Sequence, residues 1–117
     1  MAQLNSKIRL YLQENGKVYD DEFRNYYLED NSSGVTELIS WNVSGLAQPT
    51  AEQLDSYNDD ATTFENNAVI KSTRRNAYGN IGDQLDLLYK DMLADKGDKS
   101  GEWFKAIKAV KDANPKE

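Results

Sequence analysis

Four carboxylates recur in one stretch of this chain: Asp83, Asp86, Asp91 and Asp95. Side chains of this type at this density serve a metal ion or acid–base chemistry when they converge. On a helix, however, they fall mostly opposite the apolar series Ile81, Leu85, Leu88 and Met92. Asp83 also lies in the first turn, where the helix dipole favours an acid. They read as a solvated face. The loop Asp95–Glu102, DKGDKSGE, has the composition of a calcium loop, which needs oxygen ligands at positions 1, 3, 5 and 12. Counted from Asp95 those positions hold Asp95, Gly97, Lys99 and Ala106, so the loop reads as a turn. Lys71, Arg74 and Arg75, with Tyr78 one turn on, have the residue types of a phosphate or single-strand contact. With no wider basic face, pairing with acids such as Glu65 or Asp83 is the preferred reading. Trp103 and Phe104 open the last helix as an interaction hot spot or as core, and the sequence leaves these even.

Histidine and cysteine are absent. Disulfides and thiolate metal sites are excluded, and the commonest metal ligand and general base are missing. No nucleophile–base pair or phosphate-cradling glycine loop stands in their place. The expectation is a non-enzymatic protein without cofactor or metal.

The 117 residues fit one domain. Only 38% are apolar and mean hydropathy is −0.81, so the core must be thin. The net charge of −6 comes from 20 acids and 14 bases and divides evenly on either side of residue 47. No concentrated basic footprint appears, so duplex DNA and anionic membranes are not expected partners. No apolar leader or long apolar run occurs, and the expectation is a soluble intracellular protein.

Residues 3–14 fit a helix through Leu4, Ile8, Tyr11 and Leu12, or a strand through alternating Ile8, Leu10 and Leu12. The helix is preferred, because Asn15-Gly16 then supplies its stop. Tyr26-Tyr27-Leu28 and VTELISWNV form a hairpin about Ser32-Ser33-Gly34. Alternation places Leu38 and Ser40 on one side and Ile39, Trp41 and Val43 on the other. Thr50, with Gln53 three residues on, opens a long helix as a capping box. It runs through Leu54, Tyr57, Ala61, Phe64, Ala68 and Ile70 to about Tyr78. Gly79-Asn80 breaks it before the amphipathic Ile81–Met92 helix. A last helix carries Trp103, Phe104, Ile107 and Val110 and ends at Pro115.

The fold class is therefore α+β: a small N-terminal helix and β-hairpin head over 1–47, then three mostly helical segments over 48–117, in one continuous unit. The last two helices are expected to bury their faces against each other. That leaves the Leu54–Ala68 seam poorly covered and available to a partner or a second copy.

The segment RRNAYGNIGDQLDLLYKDM, with GEWFKAIKAVKDANPK after it, resembles the C-terminal region of small accessory proteins from tailed-bacteriophage tail gene clusters, described as phage tail or tail-fibre assembly chaperones or minor virion proteins. The matching residues are Arg74, Arg75, Ala77-Tyr78, Ile81-Gly82-Asp83-Gln84-Leu85-Asp86, Ala109-Val110-Lys111 and Asn114-Pro115. Ser40-Trp41-Asn42, Gln48-Pro49-Thr50 and Gln53-Leu54 look similar to the front half of such proteins. About two-thirds of the chain is covered, most specifically at IGDQLD. Such proteins often carry proline after the tyrosine, where this chain has Gly79; the turn survives with less rigidity.

The resemblance implies a protein that binds a tail or tail-fibre protein, as a transient chaperone or as a stoichiometric subunit of the tail, fibre or neck. It implies a place in the host cytoplasm during assembly or in the virion tail, and makes a homo-oligomer relevant. The residues expected to meet a partner are Tyr57, Phe64, Arg74, Arg75, Tyr78, Ile81, Gln84, Leu85 and Trp103. A small nucleic-acid-binding regulator acting through Lys71, Arg74 and Arg75 is the reading from another class.

Overall fold

The computed structural model describes all 117 residues, Met1–Glu117. Residues Leu4–Glu14 form helix α1, which buries Ile8 and Leu12 completely and Tyr11 nearly so. Asn15 and Gly16 end it, Gly16 taking a φ of 76°. The helical spacing of Leu4, Ile8, Tyr11 and Leu12 prevails over the alternating one. A short helix α2 (Tyr19–Glu22), with no counterpart in the sequence reading, leads to strands β1 (Tyr26–Asp30) and β2 (Thr36–Trp41). The strands pair antiparallel. Their turn is closed by the Asn31 side chain, whose Oδ1 accepts from the backbone N–H groups of Ser33 and Val35 at 2.8 and 3.1 Å. Gly34 there holds a φ of 77°, the left-handed value that favours glycine.

Strict alternation does not hold along β2. Tyr27 pairs with Ser40 and Leu28 with Leu38, so Ile39 is an extra residue opposite the Tyr27/Leu28 step. Such a bulge breaks the period of two. Leu38 and Trp41, expected on opposite faces, therefore both pack against the core, and Ile39 is exposed. The core joins Ile8 and Leu12 of α1 to Tyr26, Val43 and Leu54. Trp41 stacks on Tyr26 with ring centroids 5.7 Å apart and donates its indole N–H to the Leu46 carbonyl at 2.9 Å. The Tyr26 hydroxyl donates to Asn5 Oδ1 at 2.5 Å. Burial, and then the neighbouring Tyr19 phenol, push the Tyr26 phenol well above the ordinary tyrosine range.

The helix expected to run unbroken from Thr50 is two helices, α3 (Ala51–Ser56) and α4 (Asn58–Tyr78). The capping box at Thr50 and Gln53 is formed in full. The break falls at Ser56-Tyr57-Asn58, three weak helix formers. There Tyr57 N–H bonds to Leu54 one residue short of helical spacing, and the Ser56 hydroxyl donates to the Gln53 carbonyl. Competition of that kind loosens a helix.

Two compact units result, Met1–Glu65 and Asn66–Glu117. Their boundary lies inside α4, whereas the sequence reading divided the chain at residue 47. The difference arises because Leu54 of α3 enters the N-terminal core and Ala61 of α4 is fully buried. Of the expected Leu54–Ala68 seam, Leu54 and Ala61 are thus buried and Tyr57 half-buried, whereas Phe64 and Ala68 stay exposed. Phe64 lies beneath the Arg9 guanidinium, 5.0 Å from the ring centroid, with Tyr19 in a similar relation at 4.3 Å. In the second unit α5 (Ile81–Leu93) packs on α6 (Glu102–Ala113). No helix is long and apolar enough to cross a membrane.

Candidate partner-binding surface

The second unit is organised by the elbow between α4 and α5. Gly79 holds a φ of 78°, and no neighbouring atom would crowd a side chain there. The backbone angle, not lack of space, is what selects glycine. Asn80 then caps α5, its Oδ1 accepting from the N–H groups of Gly82 and Asp83 at 2.7 and 3.3 Å. The Gln84 side-chain amide donates back to the Gly79 carbonyl at 3.3 Å. Gln84 therefore braces the elbow locally.

Asp91 is where the sequence reading and the structure part most clearly. Counted among the solvated acids, it is buried. The cause lies at the start of α6, whose N-cap position is Gly101 and has no capping side chain. Asp91 supplies the missing acceptor from α5: its Oδ2 takes the Trp103 N–H at 2.8 Å. A carboxylate there also meets the positive end of the α6 dipole. Gly101 must be small, since a Cβ would lie 2.2 Å from the Lys96 carbonyl and 2.8 Å from Asp91 Oδ2. The signal available in the sequence was the absence of Ser, Thr, Asn or Asp at position 101.

This cap fixes which face of α5 meets α6. Gln84, Leu87 and Leu88 are half-buried beside Asp91, whereas Ile81, Leu85, Tyr89, Met92 and Leu93 are exposed. The expected burial of the Ile81–Leu85–Leu88–Met92 stripe is thus corrected: only Leu88 turns inward. The larger group of open apolar side chains therefore lies on α5, while the 50–70 segment leaves Phe64 and Val69 exposed.

Between the elbow and α6 is an open cleft of about 250 Å³, lined among others by Tyr78, Asp83, Gln84, Leu87, Trp103 and Ile107. Trp103 also borders a second groove, of about 400 Å³, on the outer side of α6 with Phe104, Lys108 and Lys111. Tyr78, Gln84 and Trp103 are therefore brought together, and Ile81 and Leu85 lie on the neighbouring α5 face. Tyr57 and Phe64 belong to the first unit. The Tyr57 hydroxyl donates to the Glu14 carboxylate, which holds its phenol up at about 12.

The basic spot divides. Arg74 Nε donates to the Asn114 carbonyl at 2.8 Å, with a longer bond to Lys111 O at 3.4 Å. A cation at the C-terminal end of α6 is favourably placed for the dipole. Its partners are carbonyls, not the acids expected. Glu65 instead accepts from Gln3 N and Ser6 Oγ in the first unit. Lys71 and Arg75 are exposed. In the 95–102 loop, the Ser100 hydroxyl and N–H both donate to Asp98 and hold its carboxyl below the usual carboxylate range. No three His, Cys, Asp or Glu side chains are grouped to hold a metal ion. The chain matches no known family model, no curated protein and no solved structure.

Proposed function

We propose that the chain is a non-enzymatic tail-associated protein of a tailed bacteriophage, which binds a tail or tail-fibre protein through the elbow of its second unit. The observation that carries the reading is the open cleft where Tyr78, Gln84 and Trp103 converge. Residues quoted for the resemblance to tail accessory proteins, Tyr78 and Ile81 to Asp86, form or adjoin it. An apolar floor with aromatic rims and one carboxylate suits an apolar or aromatic side chain presented by another protein. Arg74 contributes by holding the C-terminal end of α6, not by meeting a phosphate. The nucleic-acid reading keeps only Lys71 and Arg75 and is the weaker.

The partner is a tail or tail-fibre protein, met in the host cytoplasm during assembly. The chain then either leaves as a chaperone or stays as a stoichiometric subunit of the tail, fibre or neck. Self-association belongs to the same reading, with α5 as the surface in place of the 50–70 seam. The test is co-expression of the tagged chain with the tail and tail-fibre proteins of its phage. The parent should retain one of them, and Tyr78→Ala/Trp103→Ala should release it. A parent that retains none would refute the reading. Quantitative mass spectrometry of purified particles then separates the roles: absence marks a chaperone, and a fixed stoichiometry marks a subunit.

A further inference from the structure

We infer that α5 is a homodimer seam, on which a second copy of this chain lies antiparallel. Five large apolar side chains stand open on this helix: Ile81 is 74% exposed, Leu85 60%, Tyr89 61%, Met92 62% and Leu93 70%. At about 100° per residue they fall within an arc of roughly 120°, a single face. Nothing in the second unit covers them, because the Asp91 cap turns a different face toward α6. Patches of this size on a small chain mark association sites.

The occupant is read from the charges along one edge of the seam. Asp86 and Lys90 sit there together, 3.2 Å apart and both largely exposed. A two-fold axis midway between Leu85 and Tyr89 reverses the helix direction and keeps this edge on the same side of the seam. Leu85 then meets the partner's Tyr89, Ile81 meets the partner's Leu93, and Asp86 comes beside the partner's Lys90. The edge is self-complementary, as a closed two-fold contact requires. Antiparallel helices also set their dipoles in opposition, whereas a parallel pair aligns them unfavourably. A parallel pair further carries each Asp86–Lys90 edge to the far side of the seam from its counterpart.

This inference deepens the reading of the chain as a protein-binding subunit and rests on it only in that general sense. It requires no particular tail partner.

Light scattering on the purified full chain is the test. The parent should elute at twice its 13.3 kDa, dissociating on dilution. Leu85→Asp should be monomeric with unchanged circular dichroism, because a 60%-exposed side chain is not needed for the fold. Asp86→Lys should weaken dimerisation at least several-fold, and Asp86→Lys/Lys90→Asp should restore it. Orientation is read with a short thiol crosslinker, since the chain has no cysteine of its own. A mixture of Ile81→Cys and Leu93→Cys chains should link to each other, and Ile81→Cys alone should not. A parent monomeric at every concentration, or a Leu85→Asp variant as dimeric as the parent, overturns the inference. A dimer in which Ile81→Cys links to itself overturns the antiparallel arrangement. These outcomes are separable from tail-protein capture, which is scored through Tyr78 and Trp103 on another surface.

Discussion

Replacing Asp91 with alanine should loosen the second unit by about 1.5–2 kcal/mol, although the side chain touches no apolar core. Its carboxylate accepts the Trp103 N–H at 2.8 Å, and α6 has no other side-chain cap. Loss of a cap costs about 1 kcal/mol and up to about 2, and a bond to a charged acceptor is worth roughly 1.5–3. The two figures describe one interaction and do not add. Asp91→Asn keeps an acceptor and loses the charge at the helix end, so roughly 0.3–1 kcal/mol should go. Ranking the variants parent, Asn, Ala is therefore the sharp form of the expectation. Amide hydrogen exchange over 103–110 reads it locally, with protection falling about tenfold for each 1.4 kcal/mol lost, provided exchange follows opening. If Asp91→Ala leaves α6 protection unchanged, α6 is held by its packing on α5 alone and the cap argument fails.

Gly101→Ala should be worse than Asp91→Ala, because its Cβ meets the Lys96 carbonyl at 2.2 Å and backbone must move; urea denaturation followed by circular dichroism checks the order. Leu12→Ala removes a fully buried side chain from the N-terminal core and should cost about 2–5 kcal/mol, visible as a lower urea midpoint. Arg74→Ala should raise exchange at 111–114 by freeing the Asn114 carbonyl, and Arg74→Lys should not fully rescue it, since an ammonium lacks the planar fork. Tyr57 has its phenol raised from 10.0 to about 12 by the hydrogen bond to Glu14. Because the folded value is the higher one, its contribution is fully present below pH 10 and is lost as pH rises through 12. A tyrosinate absorbance titration should show Tyr57→Phe removing a late-titrating phenol, and no change there would contradict the assignment.

The hairpin and the helices other than α2 were legible, the break between α3 and α4 apart, because their signals are local. Asn15-Gly16, the Thr50–Gln53 box and Gly79-Asn80 each act within a few residues. Apart from α2 and the break at Tyr57, what was not legible depended on partners distant in sequence. The bulge at Ile39 follows from strand pairing, and it redirects Leu38 and Trp41 together. Asp91 reads as one more exposed acid until α6, ten residues on, is seen to lack its own cap. That single bond turns α5, so the most regular apolar stripe in the chain is the one left in solvent. Conversely, Leu54 looked uncovered because α1, the helix it packs against, lies at the other end of the chain. Of the nine residues expected to meet a partner, Tyr78, Gln84 and Trp103 share a cleft. Arg74 is engaged in holding α6, and Phe64 is stacked beneath Arg9.

The central claim is that the elbow of the second unit grips a tail or tail-fibre protein. Crosslinking mass spectrometry on the co-expressed complex tests it most directly, because Lys108 and Lys111 border the groove beside Trp103 and Lys90 lies on α5. The account expects crosslinks from these lysines to one tail or tail-fibre protein, lost in Tyr78→Ala/Trp103→Ala. Crosslinks to that protein confined to Lys17 of the first unit, or no tail protein crosslinked at all, would contradict it.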